Sequence, residues 1–440
     1  MNDALRKPSL IRYGFFALPL AFAGLPLYMH MPDLYAREFG LNLAVLGTVL
    51  LVIRLIDAVQ DPVLGYMSDQ YAHHRTTIMY IGTATLALGL AGLCFGPPAT
   101  TVTVLWFSGC MVLATTGYSV LTINLNFIGG FWKRDENHRI TIASWREAFG
   151  LIGLLIAAIV PAVAQTRLTV MQSYMALFIV FGVLMGIGIV LIRNFLATTQ
   201  LETGVGTNQE RASFAFLSIL TGKDRLFFAI CFVSYIAASI PAILVLPFVR
   251  DYLDAEAMTG LFLALYFLSG AVFMGFWSKI SHRLGPQKTW LVAHLVAILT
   301  FVGAAGLGMG DTTGFAIVCV ASGMALGADL LFPPALLAAH IRKQNHEATA
   351  TQYYAALAFL PKAALAIAAG GTFIMLDRVG FTAGASNTEL QKTVLLTLYA
   401  VVPCVLKTVS AGLLWHRMNK KGFKDEAMER DVYHGTTRNS

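Results

Sequence analysis

The strongest constraint on this sequence is that long apolar segments recur from one end of it to the other. Of its 440 residues, 57% are hydrophobic and 12% are charged, whereas about a quarter of a soluble domain is charged. A bilayer core of roughly 30 Å is crossed by a helix of about 20 apolar residues. The sequence therefore predicts an all-α integral membrane protein with twelve transmembrane helices in the lipid bilayer. The predicted spans are 12–31, 44–66, 77–96, 102–125, 147–165, 174–194, 226–249, 258–278, 288–309, 313–336, 351–376 and 394–416.

The basic residues predict how these spans are oriented. Most of the 31 Lys and Arg fall in loops on one predicted side, among them Lys7, Lys133, Arg134, Lys343 and Lys420. Loops rich in Lys and Arg stay in the cytoplasm, so both termini are predicted to be cytoplasmic. The net charge of +7 is then an orientation signal, and no nucleic-acid partner is expected.

Two similar turns divide the spans into halves. Gly65-Tyr66-Met67-Ser68-Asp69-Gln70 follows the second span, and Gly275-Phe276-Trp277-Ser278-Lys279 follows the eighth. Their equivalent places predict two pseudo-symmetric six-helix bundles. The predicted parts are bundles 1–194 and 226–416, a cytoplasmic linker 195–225 and a cytoplasmic tail 417–440. Transporters of this design hold their substrate between the halves near the middle of the membrane.

The second span carries three charges that a membrane makes costly. Arg54, Asp57 and Asp61 are spaced three and four residues apart, so they share one helical face. A charge at mid-span costs at least about 2.5–3.5 kcal/mol, and such residues usually have a function. Two carboxylates one turn apart repel each other unless a cation or a proton intervenes. The pattern predicts a site for Na⁺ or H⁺; the alternative is an internal ion-pair triad with Arg54 that only fixes helix packing.

The same segment resembles a known family. Arg54-Leu55-Ile56-Asp57-Ala58-Val59-Gln60-Asp61-Pro62-Val63-Leu64-Gly65 is similar to the helix 2 signature of the glycoside-pentoside-hexuronide:cation symporters, the melibiose permease group of the major facilitator superfamily. Trp145-Arg146-Glu147-Ala148-Phe149-Gly150 and Lys362 match further family positions. The resemblance implies a major facilitator fold in a bacterial inner membrane. It also implies that Asp57 and Asp61 bind the coupling cation, that Ser119 adds a hydroxyl, and that Lys362 approaches from the other half.

The sequence departs from the family pattern where the melibiose permease holds its sugar. Ala21, Thr122 and Asn126 occupy the positions of that permease's acidic residues and tryptophan, and Ala338-Ala339-His340-Ile341-Arg342 replaces an A-D-x-x-D-Y motif. Tyr118, Thr122 and Asn126 on the fourth span offer hydroxyl and amide groups that suit a polyol. Polar packing between helices is the alternative for them.

Four further polar residues interrupt apolar spans in the second half. Asp329, shortly before Pro333-Pro334, is expected to contact substrate or to pair with Lys362. Lys362 itself is expected to pair with Asp57 or to bind an anionic substrate. His294 is interpreted as plain packing, with a proton relay as the alternative. Lys407 is expected to extend its ammonium group to the membrane surface from near a helix end.

A group of mixed charges is predicted at the inner mouths of the second, third and fifth spans. It consists of Asp69, Arg75, Arg139, Arg146 and Glu147. Exposed ion pairs contribute about 0–1 kcal/mol each, but several in a partly dry site can hold a two-state equilibrium. We therefore expect this cluster to close a cytoplasmic gate; the alternative is that these residues only anchor the inner surface.

These features favour a secondary transporter over other membrane proteins. The sequence has no nucleotide-binding loop, metal-ligand cluster or catalytic triad, so an enzyme or an ATP-driven pump is not expected, nor is a cofactor. We expect a monomer that couples Na⁺ or H⁺ to the transport of a small polar solute, such as a glycoside, sugar or sugar acid. The alternatives are an amphipathic or lipid-like cargo and a non-transporting membrane sensor.

Overall fold

The chain folds as a bundle of long helices. The computed structural model describes residues 7–41, 43–98, 102–133, 135–165, 167–199, 214–222, 224–344, 346–382 and 386–436, and within these ranges every regular element is helical. Eleven helical stretches of this part are long and apolar enough to cross a membrane. The helix Leu43–Gln70 has 28 residues but carries Arg54, Asp57 and Asp61, and it is the twelfth.

The membrane helices are numbered α1 to α12. The first six are α1 (Lys7–Gly14, Ala17–Leu25, Pro26–His30 and Met31–Arg37), α2 (Leu43–Gln70), α3 (Arg75–Phe95), α4 (Thr103–Phe131), α5 (Glu136–Ala164) and α6 (Val170–Thr198). The last six are α7 (Arg225–Pro247, continued by Phe248–Tyr252), α8 (Thr259–Leu284), α9 (Pro286–Ala304), α10 (Thr312–Lys343), α11 (Ala350–Arg378) and α12 (Glu389–Leu396, Thr397–Val401 and Val402–Thr436). A short linker helix, Phe216–Thr221, precedes α7.

Helix α5 differs most from its predicted span. It begins at Glu136 and not at residue 147, because the Asp135 carboxylate accepts a hydrogen bond from the His138 N–H (2.9 Å) and caps the first of three turns that carry polar residues. Hydropathy detects only the apolar part of such a helix. The predicted tail 417–440 is an extension of α12 as far as Thr436. Residues 200–213 of the predicted linker lie outside the described ranges.

Two close approaches between helices set the position of the central residues. A Cβ atom on Gly65 of α2 would lie 2.5 Å from the Cβ of Ala355 in α11. A Cβ atom on Gly270 of α8 would lie 2.9 Å from the side chain of Leu151 in α5. At Gly65 only glycine permits this spacing, since the Cβ of Ala355 cannot move aside, so α2 packs directly on α11. At Gly270 the neighbour is the flexible end of Leu151, and α5 lies close to α8. The end of the bundle where α2 finishes and α11 begins is called the basic side below.

Candidate functional site

The two aspartates of α2 share one lysine from α11. The Nζ atom of Lys362 lies 2.9 Å from Asp57 Oδ1 and 2.8 Å from Asp61 Oδ2. Asp57 and Asp61 are 3% and 0% exposed, and the Lys362 side chain is 19% exposed. The aspartates are one turn apart and therefore project from the same face of α2. The contact of Gly65 with Ala355 brings α11 close enough for Lys362 to reach them.

Hydroxyl and amide groups complete the surroundings of Asp57. Ser119 of α4 accepts a hydrogen bond from Lys362 (2.8 Å) and donates one to Asp57 Oδ1 (3.1 Å). Gln60 donates from its amide to Asp57 Oδ1 (2.8 Å), and Thr116 donates to the Gln60 carbonyl oxygen (2.8 Å). Oxygen atoms from two helices therefore surround the ammonium group, as they would surround a small hard cation.

The charges of this cluster do not cancel within the lysine triad. One ammonium group faces two carboxylates, so the triad of Asp57, Asp61 and Lys362 has one surplus negative charge when all three are ionised. Arg54 is half-buried one turn before Asp57. A surplus charge in a dry region is costly, and one more cation or proton would remove it.

The polar residues of α4 divide into two groups. Asn124 is fully buried, accepts a hydrogen bond from Arg75 (2.7 Å) and donates one to Ser68 (3.0 Å), so it joins helices. Tyr118 and Asn126 are half-buried, as is Thr122. The Tyr118 ring lies against α1, where a Cβ atom on Gly24 would be 3.3 Å from it.

Arg146 and Glu147 lie inside α5, which begins at Glu136. They pair with each other, and their side chains are 6% and 22% exposed. Ten residues separate Arg146 from the start of α5 at Glu136, which is about 15 Å along the helix. Tyr118 is within electrostatic reach of both Glu147 and Asp57. A Cβ atom on Gly14, two turns into α1, would also lie 3.2 Å from the backbone carbonyl carbon of Trp145, the residue before Arg146. The pair is therefore level with the first segment of α1, and its place in a cytoplasmic gate stays a prediction.

The other predicted gate residues lie at the basic side. The Asp69 carboxylate accepts hydrogen bonds from the backbone N–H groups of Thr351 and Gln352, both at 3.0 Å. Arg75 donates to the Thr351 hydroxyl (3.2 Å). Arg139 is 6% exposed and lies in the first turn of α5. Because the carboxylate caps the first turn of α11, α2 and α11 are joined at this end.

Asp329 pairs with Lys407. The sequence had suggested substrate or Lys362 as its partner. Lys407 binds the Asp329 carboxylate and also donates to Ser234 (2.8 Å). Ser234 and Trp290 donate to Asp329 Oδ1 at 3.2 and 3.0 Å. Asp329 therefore belongs to a cluster inside α7, α9, α10 and α12 and does not pair with Lys362.

Lys407 is 3% exposed, so the expectation that it extends to the membrane surface is wrong. Its helix reaches from Glu389 to beyond Asn419, which places residue 407 well inside the span. His294, next to this cluster, donates or accepts at both ring nitrogens: Nδ1 lies 2.9 Å from the Trp290 carbonyl oxygen and Nε2 lies 3.0 Å from the Ser410 hydroxyl. A backbone carbonyl only accepts, so Nδ1 carries a proton.

Sequence reasoning missed Gln60 and Thr116 beside Asp57. Gln60 lies three residues after Asp57, and its position on the same face was therefore available as a signal. Thr116 had no such signal, because the packing of α4 on α2 decides which of its residues reach Gln60.

Comparisons with known proteins agree with this architecture. Residues 11–418 match the family described as MFS/sugar transport protein. The uncharacterized symporter YnaJ of Bacillus subtilis (strain 168) is 21% identical over 452 residues, covering 98% of this chain and 96% of that protein. The isoprimeverose transporter of Lactiplantibacillus pentosus is 24% identical over 297 residues, covering 64% of this chain and 60% of that protein.

The fold is also similar to that of a solved transporter. The crystal structure of a bacterial homologue of the iron transporter ferroportin, in its outward-facing state, superimposes with a TM-score of 0.70 at 14% identity, covering 94% of this chain and 99% of that one. At this identity the likeness concerns the fold alone. With the family match over most of the chain, it follows that this protein belongs to the MFS/sugar transport family and is a secondary active, sugar-type symporter.

Proposed function

We propose that Asp57, Asp61 and Ser119 form the coupling-cation site and that Lys362 is a tethered cation that occupies it between transport events. The observation that carries this proposal is the position of the Lys362 ammonium group, within 2.9 Å of both carboxylates and 2.8 Å from the Ser119 oxygen. A free Na⁺ or H⁺ neutralises the surplus carboxylate and weakens the hold on Lys362. Gln60 keeps Asp57 oriented while the lysine leaves.

Release of Lys362 couples the cation to the conformation of the protein. Asp57 and Asp61 belong to the proposed N-terminal bundle, residues 1–194, and Lys362 to the proposed C-terminal bundle, residues 226–416. An ion pair across the two bundles favours the arrangement in which they meet. A ligand shifts a two-state equilibrium by as much as it prefers one state. Cation binding, by replacing the lysine, therefore frees the bundles to move and supplies the coupling free energy.

The sugar-type substrate binds next to this site. Tyr118, Thr122 and Asn126 supply hydroxyl and amide groups from α4, and the Arg146 and Glu147 pair supplies a donor and an acceptor from α5. Arg54 lies at the edge of this region. Sugar hydroxyls both donate and accept hydrogen bonds, which matches such a mixed set. Asp329 is not among the proposed contacts, because its oxygen atoms are bonded to Lys407, Trp290 and Ser234.

The basic side is the cytoplasmic side in this proposal, in agreement with the distribution of Lys and Arg. Both termini and the tail then lie in the cytoplasm, and the protein lies in a bacterial inner membrane as a monomer. Asp69 and Arg75 close the cytoplasmic gate through the first turn of α11, and Arg139 lies beside them.

The cation site is tested most directly with Na⁺ and H⁺ as the probes. A ligand that binds the folded state raises the free energy of unfolding by RT ln(1 + [L]/Kd). We expect NaCl to raise the thermal unfolding midpoint of purified protein at pH 8, relative to choline chloride at equal ionic strength, if Na⁺ couples. If H⁺ couples, Na⁺ has no effect and lowering the pH raises the midpoint.

Asp57→Asn and Asp61→Asn are the test variants, and Asp311→Asn, on an exposed loop, is the matched control. Both site variants should lose the cation response. The native protein is first tested for cation-driven uptake of a panel of monosaccharides, glycosides and hexuronates, and both variants should fail to take up every sugar that it transports. A cation response of native size in either site variant would show that the α2 carboxylates only contribute to helix packing.

A further inference from the structure

The described part of the linker crosses the junction between α2 and α11. The backbone N–H of Ala215 donates to the side-chain carbonyl oxygen of Gln352 at 2.8 Å. Gln352 is fully buried, and its own backbone N–H donates to Asp69 at 3.0 Å. A single residue of α11 therefore holds the linker on one side and the end of α2 on the other.

Two aromatic contacts add to this junction, one with α2 and one with α11. The Phe214 ring lies edge-on to Tyr66 of α2, with the ring centroids 5.9 Å apart. The Phe216 ring lies edge-on to Phe359 of α11, with the centroids 5.6 Å apart. The segment 214–222 thus touches both helices within three residues of its own chain.

The contacts of the linker segment with α11 and with α2 respond differently when the two helices separate. Alternating access requires α2 and α11 to part at the basic side. The linker segment continues directly into α7 and is joined to α11 by both Phe216 and Ala215, so it travels with that bundle. Among the described residues, the ring contact of Phe214 with Tyr66 ties the segment to α2, and three residues of chain are too short to keep that contact across a widening gap.

We propose that segment 214–222 is a latch that stabilises closure of the basic side, with Phe214 as the part that engages and releases α2. This inference rests on the alternating-access cycle proposed above. An edge-to-face aromatic pair changes an equilibrium by about two- to tenfold beyond its buried area. The latch therefore sets how long the gate stays closed and does not bind cation or substrate itself.

The test measures the two arrangements directly. Spin labels at Thr77 in α3 and at Arg283 in α8, both exposed and on opposite bundles, report the width of the basic side by pulsed electron resonance. We expect two distances, and Phe214→Ala should raise the ratio of long to short by about two- to tenfold. Leu217→Ala is the matched control, because Leu217 belongs to the same segment and is 70% exposed.

A double-mutant cycle shows whether the effect belongs to the proposed contact. Tyr66→Leu should reproduce the effect of Phe214→Ala, and the double variant should be no more open than either single variant. Equal populations in native protein and Phe214→Ala would overturn the latch, as would an equal effect of Leu217→Ala. A single distance in every protein under all cation and sugar conditions would instead overturn the proposed cycle.

Discussion

The buried pair of Lys407 and Asp329 allows a test of whether Lys407 has a packing role while Lys362 has a role in transport. Their side chains are 3% and 8% exposed, and the carboxylate also accepts hydrogen bonds from Trp290 and Ser234. Lys407→Met keeps the length of the side chain and removes its charge. Asp329 is then a buried carboxylate without a counter-charge.

The size of the effect follows from the state of the remaining partner. Breaking a buried ion pair by removing one member costs about 3–5 kcal/mol. Two hydrogen bonds to Asp329 survive, so the lower part of this range applies. We expect a clear fall in the thermal unfolding midpoint of purified Lys407→Met. The double variant Asp329→Asn with Lys407→Met removes both charges and keeps the acceptor for Trp290, so its midpoint should return close to that of the native protein.

Transport separates a packing role from a functional one. Since the pair lies within one proposed bundle, the stable double variant should also transport normally. The same treatment of the central site should end differently: Asp57→Asn and Asp61→Asn with Lys362→Met, which together remove every charge of the triad, should be stable but lack cation-driven uptake. The reasoning fails if Lys407→Met is as stable as the native protein, if the double variant is no better than the single one, or if it is stable yet inactive.

Two further predictions concern the neighbours of the cation site. Gly65→Val should abolish cation-driven uptake, because its Cβ atom would lie 2.5 Å from that of Ala355 and keep α2 from closing on α11. Gly109→Val is the control and should transport normally, because nothing lies within 4 Å of a Cβ atom there. Equal uptake by both variants would contradict this prediction. Gln60→Leu removes the hydrogen bond to Asp57 and should weaken cation affinity by about tenfold or more, since a hydrogen bond to a charged group contributes about 1.5–3 kcal/mol. The cation dependence of uptake measures this change, and an unchanged half-saturating cation concentration would contradict it.

The parts of the site that lie along one helix could be predicted from the sequence. Helical spacing placed Arg54, Asp57 and Asp61 on one face, and the cost of charge in a membrane marked that face as exceptional. The approach of Lys362 was implied by the family resemblance, and its position inside a span left it as one of two alternatives. Spacing within one helix contains no information on which helix packs beside it.

Contacts between distant helices account for the predictions that were wrong. Asp329 and Lys407 are 78 residues apart, and each alone looked like a residue in need of water or of another partner. Hydropathy also located α5 only from residue 147, so Arg146 and Glu147 seemed to lie at its entrance. The helix begins at Glu136, so the two residues lie ten and eleven residues inside it.

The two lysine sites differ in charge balance and in exposure. These differences suit Lys407 to a contact that stays intact during transport and Lys362 to a contact that breaks. Lys407 and Asp329 balance each other in charge, and further donors saturate the carboxylate, so a cation arriving there would gain nothing. Lys362 faces two carboxylates, so this triad has a surplus negative charge when all three groups are ionised, and the Lys362 side chain is 19% exposed. A cation that binds at Asp57 and Asp61 removes that surplus, and the attraction that holds Lys362 across the bundles falls at the same time. The pair inside one bundle is therefore suited to remain intact throughout the cycle, and the pair between bundles is suited to break.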